Sequence, residues 1–199
     1  MRKIVLSVVL PVLLLGCTEK QDSSAVTTSN PQAGKVIAKA NCTGCHGMDG
    51  KGITGDIPNL AAQVESYLSA SLHAYKEGKR THAALRDMTK KMSDADIRNI
   101  AAYYASLPPL KNAAMVETQD IHEKGKAAAI ACAACHGTDG NSVTQGIPSL
   151  AGQQPEYFIS AVKSCPRIPS LTCRPGCRIA PTVYPDVVRK YRDATPRVI

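Results

Sequence analysis

Cys42-Thr43-Gly44-Cys45-His46 returns further along the chain as Cys132-Ala133-Ala134-Cys135-His136. Cysteines three apart on a helical turn share one face, so both thiols can add to the two vinyl groups along one porphyrin edge. The histidine that follows is carried beneath the ring, where an imidazole nitrogen can bind iron as its fifth ligand. Cys-x-x-Cys-His is the pattern of c-type haem attachment. A zinc knuckle or a thioredoxin-like redox pair uses the cysteines but leaves unexplained a histidine directly after the second one in both copies. Two covalent haem c groups are therefore expected, on Cys42 and Cys45 with His46, and on Cys132 and Cys135 with His136.

The surroundings repeat with the motif. Gly47-Met48-Asp49-Gly50 matches Gly137-Thr138-Asp139-Gly140, and Ile57-Pro58-Asn59-Leu60-Ala61 is echoed by Ile147-Pro148-Ser149-Leu150-Ala151. From Cys42 to Tyr67 and from Cys132 to Tyr157 the register holds at a constant offset of 90 residues. This is an internal duplication.

A chain of 199 residues with two such motifs divides into two small domains, neither long enough to bury a generous core of its own. A covalent haem supplies the missing apolar mass, which fits an aromatic content of 4% and the absence of Trp. The formal charge of +8 resolves into +2 over residues 1–16, +1 over 17–163 and +5 over 164–199. The haem-bearing body is nearly neutral, and this distribution excludes a nucleic-acid partner.

Arg2 and Lys3 precede an apolar run from Ile4 to Leu15, too short for a permanent span and read as a secretory signal over residues 1–16. Leu14-Leu15-Gly16-Cys17 resembles a bacterial lipobox, which implies cleavage before Cys17 and lipidation of its thiol. Residues 17–32 are polar and without hydrophobic period, as in a flexible tether whose stretched reach is on the order of 50 Å.

Domain one is expected over 33–107. A helix from Ala33 to Asn41 runs into the motif, with Gly34 admitting the close approach of another helix as Gly125 would in the second copy. A helix from about Val64 to Lys79 leads to a loop from Arg80 to Met92. Ser93 and Asp96 then form a capping box for the helix Asp94 to Leu107, whose stripe is Ile97, Ile100, Ala101, Tyr104 and Leu107. Met92 staples against Ile97 and is thereby occupied, which makes Met88 the sixth ligand of the first iron in preference to Met92. Met48 lies too near His46 to reach the opposite haem face, and His73 and His82 are weaker rivals. Residues 108–120 form a linker, and domain two covers 121–163, opening with a helix from about Ile121 to Cys132.

Cys-x-x-Cys-His, Gly-x-Asp-Gly, Ile-Pro-x-Leu-Ala, a Met ahead of Ser-Asp-x-Asp-Ile, and Ala101-Ala102-Tyr103-Tyr104-Ala105-Ser106-Leu107 together resemble class I cytochromes c. The duplication is similar to the diheme cytochrome c4 type. The resemblance covers domain one fully and domain two to about residue 163. It implies an all-α fold of two tandem haem domains that relays electrons in the periplasm, with redox partners such as a terminal oxidase or a quinol-oxidising complex. It also implies that the carbonyls of Pro58 and Pro148 accept the proton on the other nitrogen of each ligand histidine.

After Lys163 the duplication fails. Residues 164–199 hold six prolines and Cys165, Cys173 and Cys177, with no Met after Met115 and no His after His136. The second iron thus lacks a familiar sixth ligand in its own domain, and an open face there is the basis of a competing reading as a peroxidase or gas sensor. Against it, the intact part of domain two offers no His, Arg and acid cluster for O–O cleavage. The three tail cysteines suit zinc poorly without a fourth ligand.

The tail itself reads as a shifted translation. Taking the third base of each codon with the first two of the next, from Thr172 through Ile179, codon degeneracy permits Met-Ser-Ala-Gly-Leu-Ser-Asp, parallel to Met88-Thr89-Lys90-Lys91-Met92-Ser93-Asp94. Resequencing across the codons for Ala161 to Cys165 is expected to reveal the shift, and the intact mass of the native protein to show two haems and an acylated Cys17. A clean read in the present frame, with a protein of this mass, would make the tail genuine.

Overall fold

The computed structural model describes residues 28–111 and 119–164. The signal, Cys17, most of the tether, the centre of the linker and the tail from residue 165 lie outside the described residues. Within them the chain is helical, without a strand.

Domain one begins at Asn30, whose side chain accepts hydrogen bonds from the backbone of Gln32 and Ala33 at 3.0 and 3.1 Å. With Pro31 at the first helical position, this launches α1, Pro31–Asn41. The helix therefore starts two residues before the expected Ala33, because Asn30-Pro31 is a helix-start signal inside an otherwise polar stretch. The haem motif forms a single turn, α2, Thr43–His46, with Cys42 at the position before it. Gly47 follows at φ 61° and Gly137 at φ 85° in the second copy, a left-handed conformation that glycine adopts freely and that swings the chain away from the motif.

Helix α3, Glu65–Lys76, stops short of Lys79. The segment expected as a loop from Arg80 to Met92 contains a helix, α4, Ala83–Lys90. Its alanines, Leu85, Arg86, Met88 and Lys90 favour helix. His82 caps its start, with Nδ1 accepting from the Leu85 N–H at 3.3 Å, and Thr89 turns its hydroxyl back to the Leu85 carbonyl at 2.7 Å. Met88 consequently sits on a helical turn rather than in a loop.

Helix α5, Asp94–Ala105, carries the expected capping box: the Asp96 N–H donates to Ser93 Oγ at 3.1 Å and the Ser93 N–H to Asp96 Oδ2 at 2.9 Å. It packs against both α1 and α3, so it buries Ala102 and Tyr103 as well as Ile97, Ile100, Ala101 and Tyr104. Met92 lies in the same core as Ile97, and Met88 and Leu107 pack on its margin. Lys76 ties α3 to the start of α5 through the Met92 carbonyl at 2.8 Å and Asp94 at 3.0 Å.

In domain two, α6, Gln119–His136, runs unbroken through the motif, and α7, Pro155–Ser164, follows the loop. Neither buries a residue. The counterparts of α4 and α5 would fall in the tail, outside the described residues. Gly34 and Gly125 express this difference. A Cβ on Gly34 would meet the Asn99 carbonyl oxygen at 1.9 Å, whereas one on Gly125 meets nothing within 4 Å. The close helix approach expected at both glycines is realised at Gly34 alone among the described residues.

Gly34→Ala is accordingly expected to destabilise domain one by roughly 1–3 kcal/mol through forced separation of α1 and α5. Gly125→Ala should be neutral or stabilising by up to about 1 kcal/mol, since it only removes a flexible residue from a helix. Urea denaturation, followed separately at each haem, distinguishes the two outcomes.

Candidate haem sites

The loop after each motif is built by the same hydrogen bonds in both copies. The Leu60 N–H donates to the Gly50 carbonyl at 2.8 Å and the Leu150 N–H to that of Gly140 at 2.7 Å. Asp49 Oδ1 accepts from the Lys51 N–H at 3.1 Å, as Asp139 Oδ1 does from Asn141 at 2.9 Å. The Asn59 side chain accepts from the Gly52 N–H at 3.0 Å, and Ser149 from that of Ser142 at 3.1 Å. These bonds set the prolyl carbonyl against the histidine. His46 Nδ1 lies 2.9 Å from the Pro58 oxygen and His136 Nδ1 lies 2.7 Å from the Pro148 oxygen. An N–H at that position donates to the carbonyl and leaves Nε2 with its lone pair, the state in which imidazole binds a metal.

Among the described residues none of the four motif cysteines is in a disulfide. Cys42 is buried in the core beside Tyr104, and burial pushes its thiol up to about 11 while the tyrosine hydroxyl opposes the rise. Cys45 is exposed. Burial also raises Cys132, with Cys135 adding to it. Tyr104 is buried, and among the described residues its hydroxyl oxygen finds no hydrogen-bond partner, with the Cys42 thiol beside it. Tyr103 donates its hydroxyl to the Met48 carbonyl at 2.6 Å, fixing the loop beyond His46 to α5.

The rival histidines have other duties. His73 spends Nδ1 on the Ser69 carbonyl at 2.9 Å and sets Nε2 at 3.4 Å from Asp94. His82 is the cap of α4. Among the described residues no three His, Cys, Asp or Glu side chains gather into a metal site, so a metal here would have to bring ligands of its own. Arg80 stacks 4.9 Å over Tyr75 and faces Tyr157 of the other domain. Two cysteines outside any disulfide, a histidine with one nitrogen committed, and a partly buried Met88 on the core make a donor set that fits haem c in domain one. Domain two supplies the thiols and the histidine.

Sequence reasoning passed over the side chains that join the domains. The Tyr157 N–H donates to the Gly55 carbonyl at 2.9 Å, Asn59 Nδ2 to that of Gly152 at 2.7 Å, the Gly146 N–H to Ser66 Oγ at 2.9 Å, and Gln154 Nε2 to the Gly52 carbonyl at 3.1 Å. Gln63 and Gln153, 90 residues apart, join the same surface. Their identity across the repeat was the available signal.

Helices closing on a Cys-x-x-Cys-His turn whose histidine is braced by a prolyl carbonyl define a c-type cytochrome domain. The family profile for cytochrome c matches residues 31–108 and 122–164, and the chain belongs to that family. It is 34% identical over 164 residues to cytochrome c4 of Pseudomonas aeruginosa, covering 79% of this chain and 78% of that protein. It is 31% identical over 135 residues to the thiosulfate dehydrogenase electron acceptor of Thiomonas intermedia, covering 63% of this chain and 62% of that one. The crystal structure of reduced cytochrome c4 from Pseudomonas stutzeri matches 68% of this chain and 80% of its own, with a TM-score of 0.62 at 26% identity. The protein is a diheme electron carrier of the cytochrome c4 type, with covalently bound haem c.

Burial lowers the pKa of His46 below its ordinary 6.5, with the Pro58 carbonyl opposing. The folded chain therefore holds fewer protons at this site than the unfolded chain does. Stability from this group is complete above about pH 6.5 and is lost as pH falls from there toward the folded pKa. With Nε2 free of iron, the denaturation midpoint of domain one should fall as pH drops below about 6.5. A level midpoint there would contradict it.

Proposed function

We propose that this chain is an exported protein, tethered to a membrane through a lipid on Cys17, that passes single electrons between redox proteins on the periplasmic side and performs no bond chemistry itself. The haem supplies an iron that alternates between ferrous and ferric states. Cys42, Cys45, Cys132 and Cys135 would hold the two porphyrins, and His46 and His136 would bind the irons through Nε2. Pro58 and Pro148 hold the opposite ring nitrogen and so fix tautomer and orientation. Met88 would complete the first iron. Met92 is buried within the core beside Ile97, where leaving to ligate would cost packing.

The observation that carries the reading is the hydrogen bond from each motif histidine to a prolyl carbonyl, at 2.9 and 2.7 Å. A His and Met pair raises the haem potential, which suits delivery to a terminal oxidase or receipt from a quinol-oxidising complex. Relatives described as thiosulfate dehydrogenase electron acceptors favour a second donor, a dehydrogenase of that kind.

Purified protein should exchange electrons rapidly with an oxidase or a redox dye and turn over little peroxide. Met88→Ala should abolish the Met-to-iron charge-transfer band and lower the potential of one haem. Loss of the band in Met92→Ala instead would transfer the ligand role, and peroxide turnover traceable to the His136 haem would overturn electron carriage as the function.

A further inference from the structure

The peptide unit that braces each ligand histidine is itself gripped by a glutamine from the other domain. The Pro58–Asn59 peptide accepts from His46 Nδ1 at its carbonyl, and its N–H donates to Gln153 Oε1 at 2.8 Å. Gln153 Nε2 donates to the next carbonyl, that of Asn59, at 3.0 Å. The second copy reverses the roles. The Pro148–Ser149 peptide accepts from His136, its N–H donates to Gln63 Oε1 at 2.7 Å, and Gln63 Nε2 donates to the Ser149 carbonyl at 3.0 Å. Each oxygen also takes a bond from the residue after its own glutamine, Val64 or Gln154, at 2.9 Å. A backbone N–H on one side and a carbonyl on the other fix which amide atom is oxygen.

Hydrogen bonds in a chain polarise one another. A peptide whose N–H is engaged by a carboxamide oxygen has a more negative carbonyl, which draws harder on the imidazole N–H and makes the opposite nitrogen a stronger donor to iron. Stronger donation favours the ferric state and lowers the potential. We infer that Gln63 and Gln153 are positioning residues that each tune the haem of the opposite domain, through the peptide that holds its ligand histidine. This rests on His46 and His136 being the axial ligands. Its consequence is that the potential of one haem depends on a side chain in the other domain, and that separating the domains would change both potentials.

Potentiometric titration of the full-length diheme protein tests this, with the haem of domain one followed through its Met-to-iron charge-transfer band. Gln153→Leu, which keeps the volume and removes the acceptor, should raise that potential. Gln153→Glu keeps an acceptor and adds charge, and should lower it. Gln154→Leu is the control: it removes a bond across the same interface, to Gly52, that does not reach the Pro58–Asn59 peptide bracing His46, and should leave the potential unchanged. Gln63→Leu should raise the haem held by Cys132 and Cys135. Equal shifts from Gln153→Leu and Gln154→Leu, or none from Gln153→Leu, would overturn the inference. Absence of the charge-transfer band from the unsubstituted protein would instead count against Met88 as the ligand of the first iron.

Discussion

Domain one depends on the approach of two backbones, α1 and α5, at Gly34 and Asn99. Because nothing but a hydrogen stands at Gly34, α1 lies close enough on α5 to bury Ala38 completely. Cys42, at the foot of α1, is thereby drawn into the same core as Tyr104. From α5, Tyr103 reaches the Met48 carbonyl, and the Tyr104 carbonyl takes the Ala62 N–H at 3.0 Å. The helix crossing thus fixes both ends of the loop that positions His46. Packing two helices away anchors the loop that orients the imidazole.

Domain two separates what domain one combines. Its loop repeats the bonds of the first, down to the contact of His136 with Pro148, although α6 and α7 bury no residue. The shape of the haem loop is therefore encoded locally by Gly137, Asp139, Gly140 and Ser149, whereas the core needs partners distant in sequence. Ile130 and Val143 remain largely exposed, which leaves the described part of this domain without the apolar burial that holds the first together.

The two motifs, the duplication, the capping box at Ser93 and the apolar stripe of α5 were legible because each is a short-range pattern with a fixed period or spacing. Helix α4 was not, because it is only two turns long, from Ala83 to Lys90, and its cap is a histidine rather than the Ser, Thr, Asp or Asn that signals a helix start. The contacts of Gln63 and Gln153 were not legible either. A glutamine near a loop has no local signature when its partner is a backbone group some 90 residues away, and only the folded chain shows which peptide it meets.

The pairing of Gln63 with Ser149 and of Gln153 with Asn59 is self-complementary: one surface patch, present twice, meets its own copy across an approximate two-fold axis. That is the contact of a symmetric homodimer, here drawn within one polypeptide. Joining the halves by a linker replaces an association that depends on concentration with one set by tether length. The patch also lies wholly between Gly52 and Tyr157, upstream of residue 164, so the segment in which the repeat breaks down contributes none of these bonds. One half can therefore diverge at its end while the two halves keep the surface by which they recognise each other.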